Sequence, residues 1–189
     1  IYCVSEPVRK QVIARFPELA DRTEVLLNFI DIKQVQRRSE EPLSDPQYTG
    51  ELKFLTVGRA SEEKGYDIAV QITAELKKRG LCFKWFIIGD GRDLNKLRTM
   101  AKEYQVEQEI IFLGMRENPA PYVKSCDLYL QPSRHEGYPI TIVEARSLQK
   151  VIIASDIPSM REQIRDGENG YLCPLDVMQF ADKIQKVLA

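Results

Sequence analysis

The sequence predicts an α/β protein built on a doubly wound parallel sheet. From residue 52 onwards, short runs of β-branched and aromatic residues alternate with helical stretches. The strand runs are almost continuously apolar, as they are when helices cover both faces of a parallel sheet. The chain has 189 residues, of which 43% are hydrophobic, and this suffices for one sizeable core.

Each element of this fold has a local signal. In the first long helix, Ile68, Ile72 and Leu76 share one face and Gly80 provides the stop. Strands are predicted at residues 52–57, 83–88, 110–113, 128–131, 151–154 and 171–173. Helices are predicted at residues 66–79, 94–104, 140–148, 160–164 and 177–188, with another short helix ending at residues 122–125. Ligands of such sheets bind beyond the carboxyl ends of the strands, so the loops that follow strands are the candidate sites.

The first 50 residues have a different pattern. Residues 1–4 are typical of the end of a strand, and Ser5 can cap a helix that runs to Phe16. Residues 24–27 form another short strand. Residues 36–50 are polar and rich in Glu, Ser, Asp and Pro, which predicts a linker or surface loop.

The composition narrows the classes of function. The 27 basic and 28 acidic residues give no net positive charge of the kind that would indicate nucleic-acid binding. No apolar run is long enough to cross a bilayer. His135 is the only histidine, which argues against a zinc site. The cysteines are far apart and predict four buried free thiols in a reducing compartment: Cys3, Cys82, Cys126 and Cys173.

The first candidate site follows the strand at residues 52–57, where Gly58-Arg59 leads to Glu63-Lys64-Gly65 and then to a helix. Two cations on one strand-to-helix loop can converge on a diphosphate. Arg59 binds two oxygens at once through its planar guanidinium, whereas Lys64 is a mobile point charge. The amino end of the helix adds N–H donors. The alternative is an ordinary charged loop with a turn glycine.

The second candidate site follows the strand at residues 128–131. Glu136 lies in the loop and Pro139 suits the first helical turn, so free N–H groups are expected at Ile140 and Thr141. Glu144 lies one turn further on, among apolar residues. A carboxylate there needs partners, and a vicinal diol such as a ribose offers two donors. The alternative is a set of first-turn acids that suit the helix dipole, which explains Glu136 better than Glu144.

Two further loops follow strands. Gly89-Asp90-Gly91 lets the backbone approach a ligand, but Leu94 stands where a dinucleotide fingerprint has its third glycine. Leu113 to Arg116 can present backbone groups to the edge of a nucleobase. Taken alone, each of these loops is most simply a plain strand-to-helix turn.

Taken together and in order, these residues resemble glycosyltransferase family 4, whose members are retaining enzymes of the two-domain GT-B architecture. The resemblance is carried by Gly58-Arg59 with Glu63-Lys64-Gly65, and by Glu136 separated from Glu144 by seven residues. Further pieces match along nearly the whole chain: Ser5-Glu6, residues 28–31, residues 88–91, residues 112–114 and residues 166–170.

The resemblance implies roles for the matching residues. Arg59 and Lys64 hold the donor diphosphate and stabilise it as it leaves, and Glu136 meets the transferred sugar; these three are the expected catalytic residues. Glu144 binds the ribose. No divalent metal and no cofactor are required, because the two cations supply the positive charge. The full donor-binding set is Gly58, Arg59, Lys64, Gly89, Leu113, Met115, Arg116, Glu136, Gly137, Tyr138, Pro139, Ile140, Thr141 and Glu144.

The implied function is transfer of a sugar, expected to be a hexose, from a UDP- or GDP-linked donor to a glycan, lipid or small-molecule acceptor. Residues 51–189 would be the Rossmann-like nucleotide-sugar-binding domain, and residues 32–50 a linker or loop. Residues 1–31 would be the end of an amino-terminal acceptor-binding domain, with its hinge. The chain alone is therefore expected to be inactive. The full-length enzyme is expected in the cytoplasm, with peripheral attachment to the inner membrane face as an option.

Two departures from the family pattern stand out. Pro139 replaces a glycine found in many members and removes an N–H that could bind a sugar hydroxyl. Pro158-Ser159 stands where a glycine pair is common. Three alternatives stay open: a non-catalytic nucleotide-binding or interaction domain of the same fold, an epimerase or phosphorylase of the same architecture, and an NAD-dependent oxidoreductase, against which the missing third glycine counts.

Overall fold

A computed structural model describes all 189 residues of the chain. It contains eight strands: β1 (Tyr2–Cys3), β2 (Glu24–Val25), β3 (Lys53–Val57), β4 (Lys84–Ile88), β5 (Ile110–Gly114), β6 (Leu128–Gln131), β7 (Val151–Ser155) and β8 (Tyr171–Cys173). It contains eight α-helices: α1 (Glu6–Arg15), α2 (Ile32–Ser39), α3 (Tyr66–Lys78), α4 (Leu94–Glu103), α5 (Ala120–Ser125), α6 (Ile140–Ser147), α7 (Pro158–Arg161) and α8 (Val177–Leu188). Two short 3-10 segments span Pro17–Arg22 and Glu62–Lys64.

Six strands form one sheet in the order β5–β4–β3–β6–β7–β8, and every neighbouring pair is parallel. The predicted fold class is confirmed, and each strand of this sheet lies within one residue of its predicted bounds. The chain winds outwards from β3 to β5 and then returns to place β6 on the other side of β3. The loops after β3 and β6 therefore lie side by side where the winding reverses, which is where such sheets bind ligands.

The sheet has a packed core on each face. Because successive strand residues point to opposite faces, Phe54 packs on one side and Leu55 on the other, and both are fully buried. Helices α3, α4 and α8 cover one face, and α5, α6 and α7 cover the other. The Trp85 indole donates to Thr56 Oγ1 at 2.9 Å, and that hydroxyl donates to the Leu130 carbonyl at 2.6 Å. This buried network joins β3 to both of its neighbours.

The amino-terminal segment forms a small unit of its own. Strands β1 and β2 pair in parallel, apart from the main sheet. Ser5 caps α1 as predicted, because its side-chain oxygen accepts a hydrogen bond from the Val8 N–H at 3.3 Å. The segment packs against the main domain through α1 and α7, and the Glu6 N–H donates to the Glu162 carboxylate at 3.0 Å.

Residues 32–39, which the sequence predicted to be linker or loop, form the helix α2. Asp31 caps this helix by accepting a hydrogen bond from the Gln34 N–H at 3.0 Å. Only Ile32 and Val35 are apolar among its eight residues, so the segment is mostly polar and has too few apolar positions to mark a helix from sequence. The helix packs against α5 and α6 and thereby reaches the candidate site. The division of the chain into domains stays a prediction.

Two smaller predictions need correction. The short helix predicted at residues 160–164 is displaced: α7 begins at Pro158, whose fixed φ suits a first helical turn. All four cysteines are free, but Cys82 is exposed, so the prediction of four buried thiols is wrong there. Cys82 lies in the connection before β4, where the next residue, Phe83, takes the buried position.

The loops after β3 and β6 touch through Gly65. Its φ of 66° is in the left-handed region, and a Cβ added there would lie 1.9 Å from the Pro132 carbonyl oxygen. We expect Gly65→Ala to lower the free energy of unfolding by about 3 kcal/mol or more, because the clash is with backbone. Gly80→Ala is the matched control, since Gly80 has a φ of 79° and no atom within 4 Å of an added Cβ. It should cost about 1 kcal/mol. Equal losses in urea unfolding would contradict the close contact.

Candidate functional site

The candidate site lies where the loops after β3 and β6 meet. The backbone N–H groups of Arg134 and His135 both donate to the Glu63 carbonyl oxygen, at 2.7 and 3.2 Å. The Arg134 guanidinium binds both carboxylate oxygens of Asp67, at 2.7 and 2.6 Å. Burial raises the pKa of Asp67, but the Arg134 bonds and charge outweigh it, and this pKa lies below its ordinary value. Backbone and side chains together therefore join the two loops.

Lys64 and Glu136 form an ion pair across this junction. Lys64 Nζ lies 2.7 and 2.9 Å from the two carboxylate oxygens of Glu136. The same carboxylate accepts hydrogen bonds from Gln131 Nε2 at 2.9 Å and from Ser133 Oγ at 2.7 Å. Only 8% of the Glu136 side chain is exposed, so this anion is nearly buried and well supplied with donors. Two of the three predicted catalytic residues are thus in direct contact.

Arg59, the third predicted catalytic residue, is exposed on the same loop as Lys64. Its side chain forms no ion pair within the chain, so its guanidinium is available to an anion. It borders an open cavity of about 260 Å³ together with Gly58, Gly89 and Met115. The floor of this cavity is close-packed backbone, since a Cβ added at Gly89 would lie 1.9 Å from the Gly58 carbonyl oxygen. The structure therefore places Gly58, Arg59 and Gly89 at one edge of the sheet.

The segment predicted to border a nucleobase has mixed exposure. Leu113 is buried and offers only its backbone, whereas 77% of Met115 is exposed beside the same cavity. The Arg116 guanidinium binds a carboxylate oxygen of Asp45 at 2.7 and 3.0 Å and also donates to the Leu113 carbonyl. Arg116 therefore orders this segment through Asp45, a residue of the region predicted to be linker.

Helix α6 begins at Ile140, as predicted, with Pro139 in the capping position. The N–H groups of Ile140 and Thr141 donate no hydrogen bond within the chain, and those of Gly137 and Tyr138 do not either. Pro139 has no N–H to offer. Free N–H groups at the amino end of a helix attract anions and hydroxyl oxygens, so this turn can receive a polar ligand.

The amino-terminal segment supports this turn from the other side. Asn28 Nδ2 donates to the Tyr138 carbonyl at 3.0 Å. A Cβ added at Gly137 would lie 3.0 Å from Val4 Cγ2, so the backbone of the turn passes close to the segment. Residues of the first 31 therefore form part of the wall of the candidate site.

Glu144 is half-buried and lines a cavity of about 230 Å³ between α2, α5 and α6. Burial raises the pKa of this carboxyl, and the positive charge of Arg38 on α2 opposes the rise. No hydrogen bond satisfies the carboxylate, which leaves it available to hydroxyl donors. Pro119 lines both this cavity and the one beside Arg59, so the two cavities are neighbours along one groove.

Two buried hydroxyls near the groove have no hydrogen-bond partner, those of Tyr66 and Thr141. The Tyr66 hydroxyl lies behind Gly58, where an added Cβ would come within 2.9 Å of it. Buried polar groups are normally paired, so unpaired ones mark places where a ligand or water can bind. His135, by contrast, is exposed on the rim of the junction.

Three residues of the site were missed by the sequence analysis. Gln131 gave a weak signal, because it is a polar residue at the end of an apolar strand. Asp45 and Arg38 gave none, because they lie in the polar region predicted to be linker. Nowhere do three side chains of the His, Cys, Asp or Glu type come together as a metal site. No helix combines the length and the apolar character needed to cross a bilayer.

The fold corresponds to that of a known class of protein. The structure of Anabaena HepE, solved in complex with UDP, superposes on 99% of this chain and 53% of its own with a TM-score of 0.84 at 20% identity. The fold is that of the GT-B glycosyltransferases. A family model described as "Glycosyl transferases group 1" matches residues 38–189. The chain belongs to this family.

Curated relatives agree with this assignment. The chain is 29% identical over 180 residues to an uncharacterized glycosyltransferase of Methanocaldococcus jannaschii, which covers 93% of this chain and 42% of the relative. It is 29% identical over 192 residues to the lipopolysaccharide 1,6-galactosyltransferase of Salmonella typhimurium, which covers 98% of this chain and 51% of that enzyme. The chain therefore spans about half of the length of these relatives, or less.

The unpaired carboxylate of Glu144 makes a prediction for stability. Burial raises its pKa, so the folded state binds the proton more tightly than the unfolded state, and stability rises as the pH falls through that pKa. Above it, the charged form is a cost. We expect Glu144→Gln to raise the free energy of unfolding at pH 7 by about 0.5–1 kcal/mol, and this gain to fade towards pH 4. Urea unfolding at several pH values measures it. Glu168→Gln, at an exposed position, is the control. A loss of stability in Glu144→Gln at pH 7 would contradict the prediction.

Proposed function

We propose that this chain binds the nucleoside-diphosphate part of a sugar donor and is the donor-binding part of a retaining glycosyltransferase of family 4. The observation that carries the proposal is the meeting of two sets of groups at one edge of the sheet. Arg59 and Lys64 lie on one loop, and Glu136 and the free N–H groups of α6 lie on the other. Cations beside free N–H groups suit a diphosphate, and a carboxylate beside them suits sugar hydroxyls.

In this proposal each part of the donor occupies a different part of the groove. The diphosphate lies against Arg59, Lys64 and the amino end of α6, which together stabilise the negative charge that develops as it departs. The ribose hydroxyls donate to Glu144, whose carboxylate has no other partner. The nucleobase lies beside Met115 and the backbone of Leu113. The two cations replace a divalent metal, and transfer on one face of the sugar requires no protein nucleophile.

The donor is proposed to be a UDP- or GDP-linked hexose. Support comes from HepE, which was solved with UDP, and from the Salmonella relative, which is named a galactosyltransferase. The acceptor, a glycan, lipid or small molecule, would be bound by an acceptor-binding domain outside the part of the matched relatives that this chain spans. The chain alone would then bind the donor without transferring its sugar, and the whole enzyme would act in the cytoplasm or at the inner face of the membrane.

Calorimetric titration with UDP, GDP and ADP, in the absence of divalent metal, tests this proposal. We expect one diphosphate to bind the wild-type chain and Arg59→Ala/Lys64→Ala to bind it at least about 100-fold more weakly, because two charged contacts are lost. Arg98→Ala/Lys102→Ala is the matched control, since it removes the same charge from exposed positions of α4. It should leave the affinity unchanged.

Two results would contradict the proposed site. One is equal affinity of the Arg59→Ala/Lys64→Ala chain and the wild type, which would place the diphosphate elsewhere. The other is the absence of binding by the wild type at millimolar concentrations of all three nucleotides. In that case the chain has the fold of the family without its nucleotide site.

A further inference from the structure

The Glu136 carboxylate is held in place from beneath. Gln131 and Ser133 both donate to its Oε1 atom, and both are fully buried. Their own positions are fixed as well: Gln131 Nε2 donates to Ser133 Oγ at 2.9 Å, and the buried Ser155 hydroxyl donates to the Ser133 carbonyl. Gln131 and Ser133, at the end of β6, therefore hold the Glu136 carboxylate in a fixed position.

Lys64 holds the same carboxylate from the other side and is the less constrained partner. Its side chain is 20% exposed, and its ammonium group has no hydrogen-bond acceptor other than Glu136. It also has a long flexible stem, so it can change partner by rotation alone. Arg59, on the same loop, is free and exposed.

We propose that Gln131 and Ser133 are positioning residues, which fix Glu136 while Lys64 moves from Glu136 to the diphosphate of the donor. The inference rests on the proposed function. When Lys64 leaves, Glu136 keeps the two donors at Oε1, and its Oε2 loses its only partner. Hydroxyl groups of the transferred sugar can then donate to Oε2. A bare diphosphate must instead break the ion pair and leave Oε2 unpaired.

The inference predicts that Glu136 competes with a bare diphosphate for Lys64. Glu136→Gln keeps an oxygen for Gln131 and Ser133 but removes the charge that holds Lys64. We therefore expect this variant to bind the nucleoside diphosphate about threefold to fivefold more tightly than the wild type, by the same titration with UDP, GDP and ADP. Glu109→Gln is the matched control, because it removes a carboxylate that lies 2.9 Å from Lys77 in another ion pair, and it should have no effect.

The positioning role is tested by a double-mutant cycle. Without its two donors, Gln131 and Ser133, the carboxylate of Glu136 can follow Lys64 and stay paired with it. The variant Gln131→Leu/Ser133→Ala should therefore bind the diphosphate about threefold more weakly. In the Glu136→Gln background the same pair of substitutions should have no effect, because no charge is left to position. Ser133→Thr keeps the hydroxyl and should bind as the wild type does. Ser39→Ala, at a buried serine whose hydroxyl donates to the Gln36 carbonyl, controls for loss of a buried hydroxyl.

Each outcome of these titrations is decisive. The inference is supported if Glu136→Gln binds the diphosphate more tightly and if Gln131→Leu/Ser133→Ala has no effect in the Glu136→Gln background. Unchanged or weaker binding by Glu136→Gln overturns it and leaves the proposed function standing. If Gln131→Leu/Ser133→Ala weakens binding equally in the wild-type and Glu136→Gln backgrounds, these residues have a general structural role and the positioning role is overturned. If the double variant does not fold, Ser133→Ala alone replaces it in the cycle. Failure of the wild type to bind any diphosphate overturns both the inference and the proposed function.

Discussion

The candidate site depends on one contact, the docking of the loop after β6 onto the carbonyl oxygen of Glu63. The two loops belong to strands that are neighbours in the sheet but far apart in sequence, so no local turn holds them together. The hydrogen bonds from the backbone of Arg134 and His135 do so, and the bonds of the Arg134 guanidinium to Asp67 reinforce them. Because they fix the separation of the loops, Lys64 and Glu136 meet at hydrogen-bonding distance.

The two carboxylates of the site are in opposite electrostatic states. Glu136 is nearly buried but has a cation and two further donors, so its charge is compensated within the chain. Glu144 is half-buried and has no such bonds, so part of its desolvation is uncompensated. Glu136 thus holds a cation, whereas Glu144 is free to accept hydrogen bonds from neutral donors. A single helix start and its preceding loop therefore provide two kinds of anion.

Much of the fold followed from the sequence because the strands of a covered parallel sheet are apolar runs, and these were placed within one residue. Glu144 was singled out because a carboxylate among apolar residues is poorly explained by the helix dipole, and Glu136 because it lies in a loop that follows a strand of the sheet. Helix α2 was missed because its buried contacts come from tertiary packing and its composition is polar. The role of Asp45 could not be predicted, because it acts through Arg116, which is distant in sequence. Gln131 acts on the nearby Glu136, but its only signal was that of a polar residue at the end of an apolar strand.

Two of the hydrogen bonds that bring the loops together, from the N–H groups of Arg134 and His135 to the Glu63 carbonyl, are between main-chain atoms. These two bonds do not depend on side-chain identity and survive a change of residue, whereas the bonds of Arg134 to Asp67 do not. Glycine is required where backbone meets backbone, as at Gly65 and, in the loop after β4, at Gly89, because any side chain there would collide with a carbonyl. Divergence can therefore change the chemistry around the groove and leave its frame intact, in keeping with a TM-score of 0.84 at 20% identity.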